Sequence, residues 1–148
     1  MVKADNYSHN ERHVVAVYGT LKRGHGNHRL LDNPMVKYIG TYLTKRKYPM
    51  ITRGSIPFVG HGFEFLGLDK EVGHNIVVEV YEVDSDTLER LDALEGHPNW
   101  YYRDVVELQE YDYHNKAVSM YFNWDVEKMS EHDAERVDLL SEFEISYE

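Results

Sequence analysis

The chain has 148 residues, of which 42% are hydrophobic, with no cysteine and a formal net charge of −10. This length suits one domain with its own core, and the missing cysteine excludes disulfides, thiolate metal sites and a cysteine nucleophile. The negative charge argues against a nucleic-acid-binding protein, which needs a basic face. No apolar run approaches the length of a membrane span and the N-terminus has no apolar signal core, so we expect a cytoplasmic protein without membrane contact.

The first part of the chain is predicted to hold a strand and a loop. Residues 1–12 are polar and are predicted to be a lead-in to a single domain at 13–148. Residues 13–18 are apolar and β-branched, which is typical of a buried strand. Residues 19–27 are rich in glycine and are predicted to form a loop.

The middle of the chain is predicted to be sheet. Residues 35–48 indicate a strand with a bulge near Gly40. Residues 48–51 and 56–59 each contain a proline, which places these short extended pieces at an edge or an end of a sheet. Residues 75–83 form the clearest strand pattern, with valines on both faces.

One helix is predicted directly after this strand. Asp84 or Ser85 can cap its first turn, and Gly96 followed by Pro98 ends it. Two more strands, 101–111 and 116–124, are predicted to follow.

A turn at 112–115 is predicted to join these two strands, and helical spacing of apolar residues after Ser130 predicts a surface helix. Many strands with one central helix and little strand–helix alternation indicate an α+β domain. A closed or partly closed sheet would remove its exposed edges.

Glu95 is the candidate acid/base. It lies seven residues after Leu88 and four after Leu91, so the three side chains share one helix face. Because the leucines make this the buried face, the Glu95 carboxyl group should be desolvated. Desolvation raises a carboxyl pKa towards neutrality, where proton transfer is efficient. The spacing alone is equally compatible with a glutamate that reaches solvent past Gly96.

The segment from Tyr18 to Leu21 is the candidate partner of Glu95. A strand that ends in Gly-Thr exposes consecutive backbone N–H groups, which can hold a carboxylate or a developing oxyanion. By itself, the pattern also fits an ordinary glycine turn. Lys22 and Arg23 are expected to be mobile cations at the mouth of a cavity. A Walker-type phosphate loop has little support, because Lys22 precedes the glycine.

The remaining polar residues form no other recognisable catalytic or metal motif. The nine histidines include no HExxH pattern, so no metal site is predicted. No serine occupies a G-x-S-x-G turn, which disfavours a hydrolase that forms an acyl-serine.

Several motifs in a fixed order resemble the γ-glutamylcyclotransferase-like superfamily, and most closely its γ-glutamylamine cyclotransferase and AIG2-like branch. The resemblance covers residues 13–124. The motifs are Val17 to Gly24, Asn27 to Arg29, Tyr48 to Met50, Ile56-Pro57, Glu79 to Val83, Leu91 to Gly96 and Tyr101 to Arg103. Asn123 departs from the pattern, since relatives often place a tyrosine near this position.

The resemblance implies an α+β fold built as a mixed β-barrel with flanking helices and a cavity at one end. It implies that Glu95 is the catalytic acid/base. It also implies a substrate-cradling loop made of Tyr18, Gly19, Thr20 and Leu21. Tyr101 is a candidate substrate contact or a core tyrosine, and Arg103 is a candidate partner of a carboxylate near the site or a surface ion pair.

The implied reaction releases 5-oxoproline and a free amine from a γ-glutamyl amine. Glu95 would take a proton from the substrate's α-ammonium group and pass it to the departing amine. No metal or organic cofactor is needed, and the implied partner is a small γ-glutamyl molecule. The alternative is a catalytically silent protein whose cavity binds a small metabolite, or which binds a protein partner. The leaving amine and the oligomeric state are left open.

Overall fold

A computed structural model describes residues 11–143, so most of the predicted lead-in lies outside the described residues. The strands are β1 Arg12–Val17, β2 Lys37–Tyr48, β3 Met50–Arg53, β4 Ile56–Val59, β5 His74–Asp84, β6 Tyr101–Val106 and β7 Val118–Asn123. The helices are α1 Ser85–Glu95, α2 Trp124–Glu127 and α3 Glu131–Ala134, with short 3₁₀ turns at His28–Leu30 and Tyr113–Asn115. None of the helices among these residues is long and apolar enough to cross a membrane.

The main sheet has the strand order β2-β5-β1-β7-β6, and β3 pairs with β4 as a separate hairpin. β1 runs antiparallel to β5 but parallel to β7, so the sheet is mixed. The register of β2 against β5 shifts between Tyr38 and Gly40, which places the bulge where the sequence predicts it. A second shift follows between Leu43 and Lys47. Such irregularities increase the local twist and help a long strand to curl.

The two edges of the main sheet meet and close a barrel. After β6, the chain leaves β7 and forms a bridge between Leu108 and Thr44 of β2. The amide of Lys45 donates to the carbonyl of Glu107 at 2.9 Å. The amide of Gln109 donates to the carbonyl of Leu43 at 2.8 Å. The predicted strand over 101–111 is therefore too long as a partner of β7. Its second half pairs with β2, because closure satisfies edge groups that would otherwise stay unpaired.

Both faces of β1 are buried, which explains its uninterrupted apolar run. Val14 and Ala16 pack inside the barrel, in a cluster that includes Met120. Val15 and Val17 point to the other side and join the cluster formed with α1. Side chains alternate along a strand, so a strand between two apolar layers needs apolar residues at every position.

Helix α1 begins and ends where its sequence predicts. Asp84 is the N-cap, and its carboxylate accepts a hydrogen bond from the hydroxyl of Thr87. Gly96 adopts the left-handed conformation, with φ of 67°, that ends many helices. Leu88 and Leu91 are buried against the barrel, as their spacing requires. The register of α1 therefore also sets the direction of Glu95, which continues the same face.

The C-terminal segment differs from the prediction. The only helix after Ser130 among the described residues is α3, and no helix is present over 138–143. The amide of Leu140 instead donates to the carbonyl of Met50 at 2.9 Å. The predicted surface helix is therefore wrong over most of its length, because pairing with the barrel satisfies backbone groups that a helix would have paired internally.

Candidate active site

A cavity opens where β1 and α1 end. It is lined by Ala16, Val17, Tyr18, Gly19, Thr20, Leu21, Ile56, Pro57, Glu95, Tyr101 and Tyr121. All the site residues predicted from the sequence thus line one cavity, although 74 positions separate Leu21 from Glu95 in the sequence. The tip of the β3–β4 hairpin supplies Ile56 and Pro57 as a further wall.

Glu95 is the last residue of α1 and faces this cavity. Burial raises the pKa of its carboxyl group to about 7, and no charged neighbour contributes to the shift. The cause is desolvation, which disfavours the ionised form. A carboxyl group with this pKa is present in both protonation states near neutral pH. It can therefore accept a proton and return it within one reaction cycle.

The loop after β1 presents backbone amides to the cavity. Its first turn is closed by a hydrogen bond of 3.0 Å from the amide of Lys22 to the carbonyl of Gly19. Among residues 11–143, the amides of Thr20 and Leu21 donate to no protein acceptor. Two adjacent N–H groups of this kind can bind a carboxylate or an oxyanion without a charged side chain.

The same loop is held in place from its C-terminal side. Asn27 donates from its backbone amide to the carbonyl of Thr20 at 2.9 Å, and from its side chain to the Thr20 hydroxyl at 2.8 Å. The ring of His28 donates from Nδ1 to the carbonyl of Leu21 at 3.0 Å. These bonds fix the turn before any ligand arrives, which is the condition for effective electrostatic stabilisation.

Gly19 allows the hairpin wall to approach the loop. A Cβ atom at this position would lie 2.7 Å from Cγ of Pro57, closer than two carbon atoms can pack. Only glycine therefore lets Pro57 and the loop after β1 meet at this distance. The glycine recognised in the sequence as a strand terminator thus also shapes the cavity.

Three tyrosines at the cavity each donate a hydrogen bond from the side-chain hydroxyl to another group of the protein. Tyr18 donates to the carbonyl of Tyr121 at 2.7 Å, and Tyr101 donates to that of Pro57 at 2.8 Å. The hydroxyl of Tyr121 donates to Oδ1 of Asp92 at 2.6 Å. Burial is the main cause that raises the pKa of all three hydroxyls, so they stay neutral. Towards a ligand, these oxygens can act only as acceptors.

Arg103 forms an ion pair beside the site, which resolves the alternatives left open for it. Its guanidinium group binds Asp92 through two hydrogen bonds of 2.8 and 3.0 Å. Burial alone would raise the pKa of Asp92, but the bonds from Arg103 and Tyr121 outweigh burial and lower it. Asp92 therefore stays ionised one helical turn before Glu95, and it orients Tyr121.

Tyr121 and Asp92 are site residues that the sequence motifs do not predict. Tyr121 lies two residues before Asn123 on β7 and therefore on the same face of the sheet. Asn123 itself is buried and caps α2, accepting from the amide of Asp125 at 2.9 Å. Asp92 lies three residues before Glu95, a helical spacing that would have placed the two carboxylates side by side.

Lys22 is not a mobile cation at the cavity mouth. It is only 3% exposed, and its Nζ lies 3.8 Å from a carboxylate oxygen of Glu142. Arg23 is exposed as predicted, but its guanidinium group stacks on the ring of Tyr38 at 4.1 Å. Among residues 11–143, no group of three His, Asp or Glu side chains is arranged to hold a metal ion.

This cavity in the α+β barrel thus combines a desolvated carboxyl group, backbone donors and neutral acceptors. A family model described as "Gamma-glutamyl cyclotransferase, AIG2-like" matches residues 15–140. The chain belongs to this family, as the order of its motifs predicts.

Curated relatives from distant organisms resemble the chain over about two thirds of its length. A Methanocaldococcus jannaschii protein, provisionally named a gamma-glutamylcyclotransferase, is 44% identical over 95 residues, which are 64% of this chain and 70% of that protein. Gamma-glutamylaminecyclotransferase C of Danio rerio is 37% identical over 102 residues, 66% of this chain and 62% of that protein. In three of these relatives, the matched region makes up between 56% and 70% of the relative's own length.

Solved structures confirm the predicted fold class. The crystal structure of an AIG2-like protein from Mus musculus superimposes with a TM-score of 0.71 at 24% identity, covering 91% of this chain and 90% of that one. A protein specific to uropathogenic E. coli superimposes with a TM-score of 0.61 at 15% identity, covering 88% and 89% of the two chains. At these identities, the superpositions establish the shared fold alone.

Proposed function

We propose that this protein is a γ-glutamylamine cyclotransferase, which converts a γ-glutamyl amine into 5-oxoproline and a free amine. One observation carries the proposal. A carboxyl group with a pKa of about 7, that of Glu95, lines the same cavity as the amides of Thr20 and Leu21. Membership of the γ-glutamylcyclotransferase family supports the reaction class.

The proposed reaction moves one proton out of the substrate and back again through Glu95. The ionised carboxylate accepts a proton from the substrate's α-ammonium group, which turns the nitrogen into a nucleophile. This nitrogen attacks the γ-carbonyl carbon and closes a five-membered ring. The bond between that carbon and the departing nitrogen then breaks as Glu95 returns the proton to the leaving amine. The ring nitrogen still carries a second proton, which passes to the released amine, so the products are 5-oxoproline and an ammonium ion. Because the attack is intramolecular, holding the substrate in a folded shape provides much of the rate.

The charge pattern of the cavity suits both ends of a glutamyl group. None of the described lining residues is Lys, Arg or His, so the backbone amides of Thr20 and Leu21 are the donors for the α-carboxylate or for the developing oxyanion. The ammonium group would face acceptors: the Glu95 carboxylate and the hydroxyl oxygens of Tyr101 and Tyr121. A zwitterionic head group fits this pattern better than a simple anion does.

The test is a search for 5-oxoproline by mass spectrometry with a panel of γ-glutamyl amines and γ-glutamyl peptides. We expect release of 5-oxoproline together with an equal amount of one amine. Glu95→Gln should lower release by about 10²- to 10⁴-fold while still binding 5-oxoproline. Glu89→Gln, an exposed glutamate on the same helix, is the matched control. If the wild-type protein binds these compounds but converts none of them, the catalytically silent binding protein is the correct interpretation.

A further inference from the structure

The segment 140–143, named here the C-terminal strap, is tied to one strand of the β3–β4 hairpin and to one strand of the barrel. The amide of Leu140 donates to the carbonyl of Met50 on β3 at 2.9 Å. The amide of Val77 on β5 donates to the carbonyl of Ser141, also at 2.9 Å. The position of the strap is therefore set by the hairpin and the barrel together.

Two side chains of the strap contact the loop at 19–27. Phe143 is 4% exposed, and its ring centroid lies 5.6 Å from that of His25. A carboxylate oxygen of Glu142 lies 3.8 Å from Nζ of Lys22, whose side chain is almost fully buried. The strap thus contacts the loop through one ring contact inside the protein and one ion pair at its surface.

Lys22 links the strap to the amides that we propose bind substrate. It directly follows Leu21, and its own amide closes the turn to the carbonyl of Gly19. Its carbonyl accepts from the amide of His25 at 3.0 Å, which starts the next turn. Any shift of Lys22 and His25 would therefore be transmitted through both turns to the amide of Leu21.

The contacting side chains of the strap lie outside the part of the chain that matches the family model, which ends at residue 140. Glu142 and Phe143 therefore add a contact to the loop that the matched family region does not contain. The loop needs such support because it contains Gly24, with φ of 85°, and Gly26. Glycine has the largest conformational entropy to lose on ordering.

We propose that Glu142 and Phe143 are positioning residues for the substrate loop, acting through Lys22 and His25. This inference rests on the proposed function of that loop. By ordering the loop before substrate arrives, the strap lowers the entropy lost on binding. Its loss should raise KM, while the proton transfer at Glu95, which lies at the end of α1, should change little.

The test compares Glu142→Gln, Phe143→Leu and the double variant with wild type. Glu135→Gln, an exposed glutamate elsewhere in the tail, is the control for the loss of one negative charge. Steady-state kinetics with the γ-glutamyl amine that wild type converts fastest should show KM raised about threefold to tenfold in the double variant, the range expected for losing one or two weak contacts. The midpoint of the pH dependence of kcat should stay at its wild-type value.

Amide hydrogen exchange supplies a readout that does not depend on turnover. We expect peptides covering 19–27 to exchange faster in the double variant, while peptides covering β6 and β7 exchange as in wild type. An unchanged KM together with unchanged exchange at 19–27 would overturn the proposal. Faster exchange throughout the sheet would overturn it too, since it would indicate general destabilisation.

The two proposals fail in different ways. If wild type converts no γ-glutamyl compound, the proposed function fails, and hydrogen exchange at 19–27 still decides whether the strap orders the loop. If Phe143→Leu does not fold, Glu142→Gln and Glu135→Gln carry the same comparison. A higher KM and faster loop exchange only in Glu142→Gln would support the positioning role.

Discussion

Glu95 and Glu127 are both removed from water in this barrel, yet their surroundings move their pKa values in opposite directions. Burial raises the pKa of Glu95 to about 7, and no hydrogen-bond partner or charge offsets it. Glu127 is only 1% exposed, and burial would raise its pKa as well. Hydrogen bonds to its carboxylate from His61 and Tyr102 outweigh burial and lower the pKa instead.

The donors around Glu127 are fixed by the fold. The backbone amide of His61 donates to it at 2.9 Å, and the hydroxyl of Tyr102 donates to the same oxygen. The ring of His61 adds a third contact at 3.1 Å. A carboxylate with three donors is a stable anion that joins the segment after β4 to β6 and α2. The comparison teaches that burial alone does not make an acid/base catalyst, because the absence of donors is what leaves the proton free to move.

The largest expected effect is the loss of activity when the carboxyl group of Glu95 is replaced. Glu95→Gln keeps the shape of the side chain but cannot accept the proton. We expect 5-oxoproline formation to fall by about 10²- to 10⁴-fold, the usual contribution of a general acid/base. Thermal unfolding should show that the variant remains folded. Turnover near the wild-type level would mean that Glu95 is not the base.

The contribution of the Glu127 carboxylate to stability is tested by Glu127→Gln. The neutral amide oxygen of glutamine accepts from His61 and Tyr102 more weakly than a carboxylate oxygen does, so we expect a loss of about 1–3 kcal/mol in the free energy of unfolding, measured with urea. Turnover per folded molecule should stay close to wild type. A loss of activity as large as that of Glu95→Gln, in a folded protein, would show that the two glutamates do not have separate roles.

The pH dependence of kcat/KM tests whether the pKa of Glu95 is raised. In the proposed mechanism the carboxylate form of Glu95 is the base, so kcat/KM should fall by about tenfold per pH unit below pH about 7. A single acidic limb with a midpoint near 4.5, the ordinary value for a glutamate, would contradict the raised pKa of Glu95.

Stability should respond to pH with opposite signs at the two glutamates. The folded state retains the Glu95 proton between pH 4.5 and about 7, where the unfolded chain has lost it, so this group lowers stability as pH rises. Glu127 has a lowered folded pKa, so its contribution is present above pH 4.5 and is lost as pH falls further. Urea unfolding of wild type and Glu95→Gln across this range should show the variant gaining relative stability towards pH 7.

The contact of Gly19 with Pro57 is expected to affect both stability and binding. Gly19→Ala places a methyl group against Pro57, and we expect about 1–3 kcal/mol of destabilisation together with weaker binding of 5-oxoproline. Gly26→Ala is a matched control in the same loop, because a Cβ there meets nothing within 4 Å. Equal behaviour of the two variants in calorimetry would show that the contact with Pro57 does not shape the cavity.

The sequence by itself determined the elements whose signals are local. The apolar run of β1 and the alternation in β5 identify these strands, and Asp84 and Gly96 mark the ends of α1. Glu95 follows from the same helix, because a spacing of three to four residues determines which side chains share a face. Such features depend on neighbours a few residues apart, so periodicity and terminating residues are enough to predict them.

Tertiary structure alone decided which distant groups meet. The second half of the predicted 101–111 strand closes the barrel against β2, and the predicted C-terminal helix is replaced by a strap with a buried Phe143. The pKa values of Glu95 and Glu127 separate for the same reason. Both are glutamates beside apolar residues in the sequence, but His61, which follows β4, and Tyr102 of β6 donate to Glu127. Hydrogen-bond partners brought together across the barrel cannot be read from local spacing, and they determine which carboxylate is free to carry a proton.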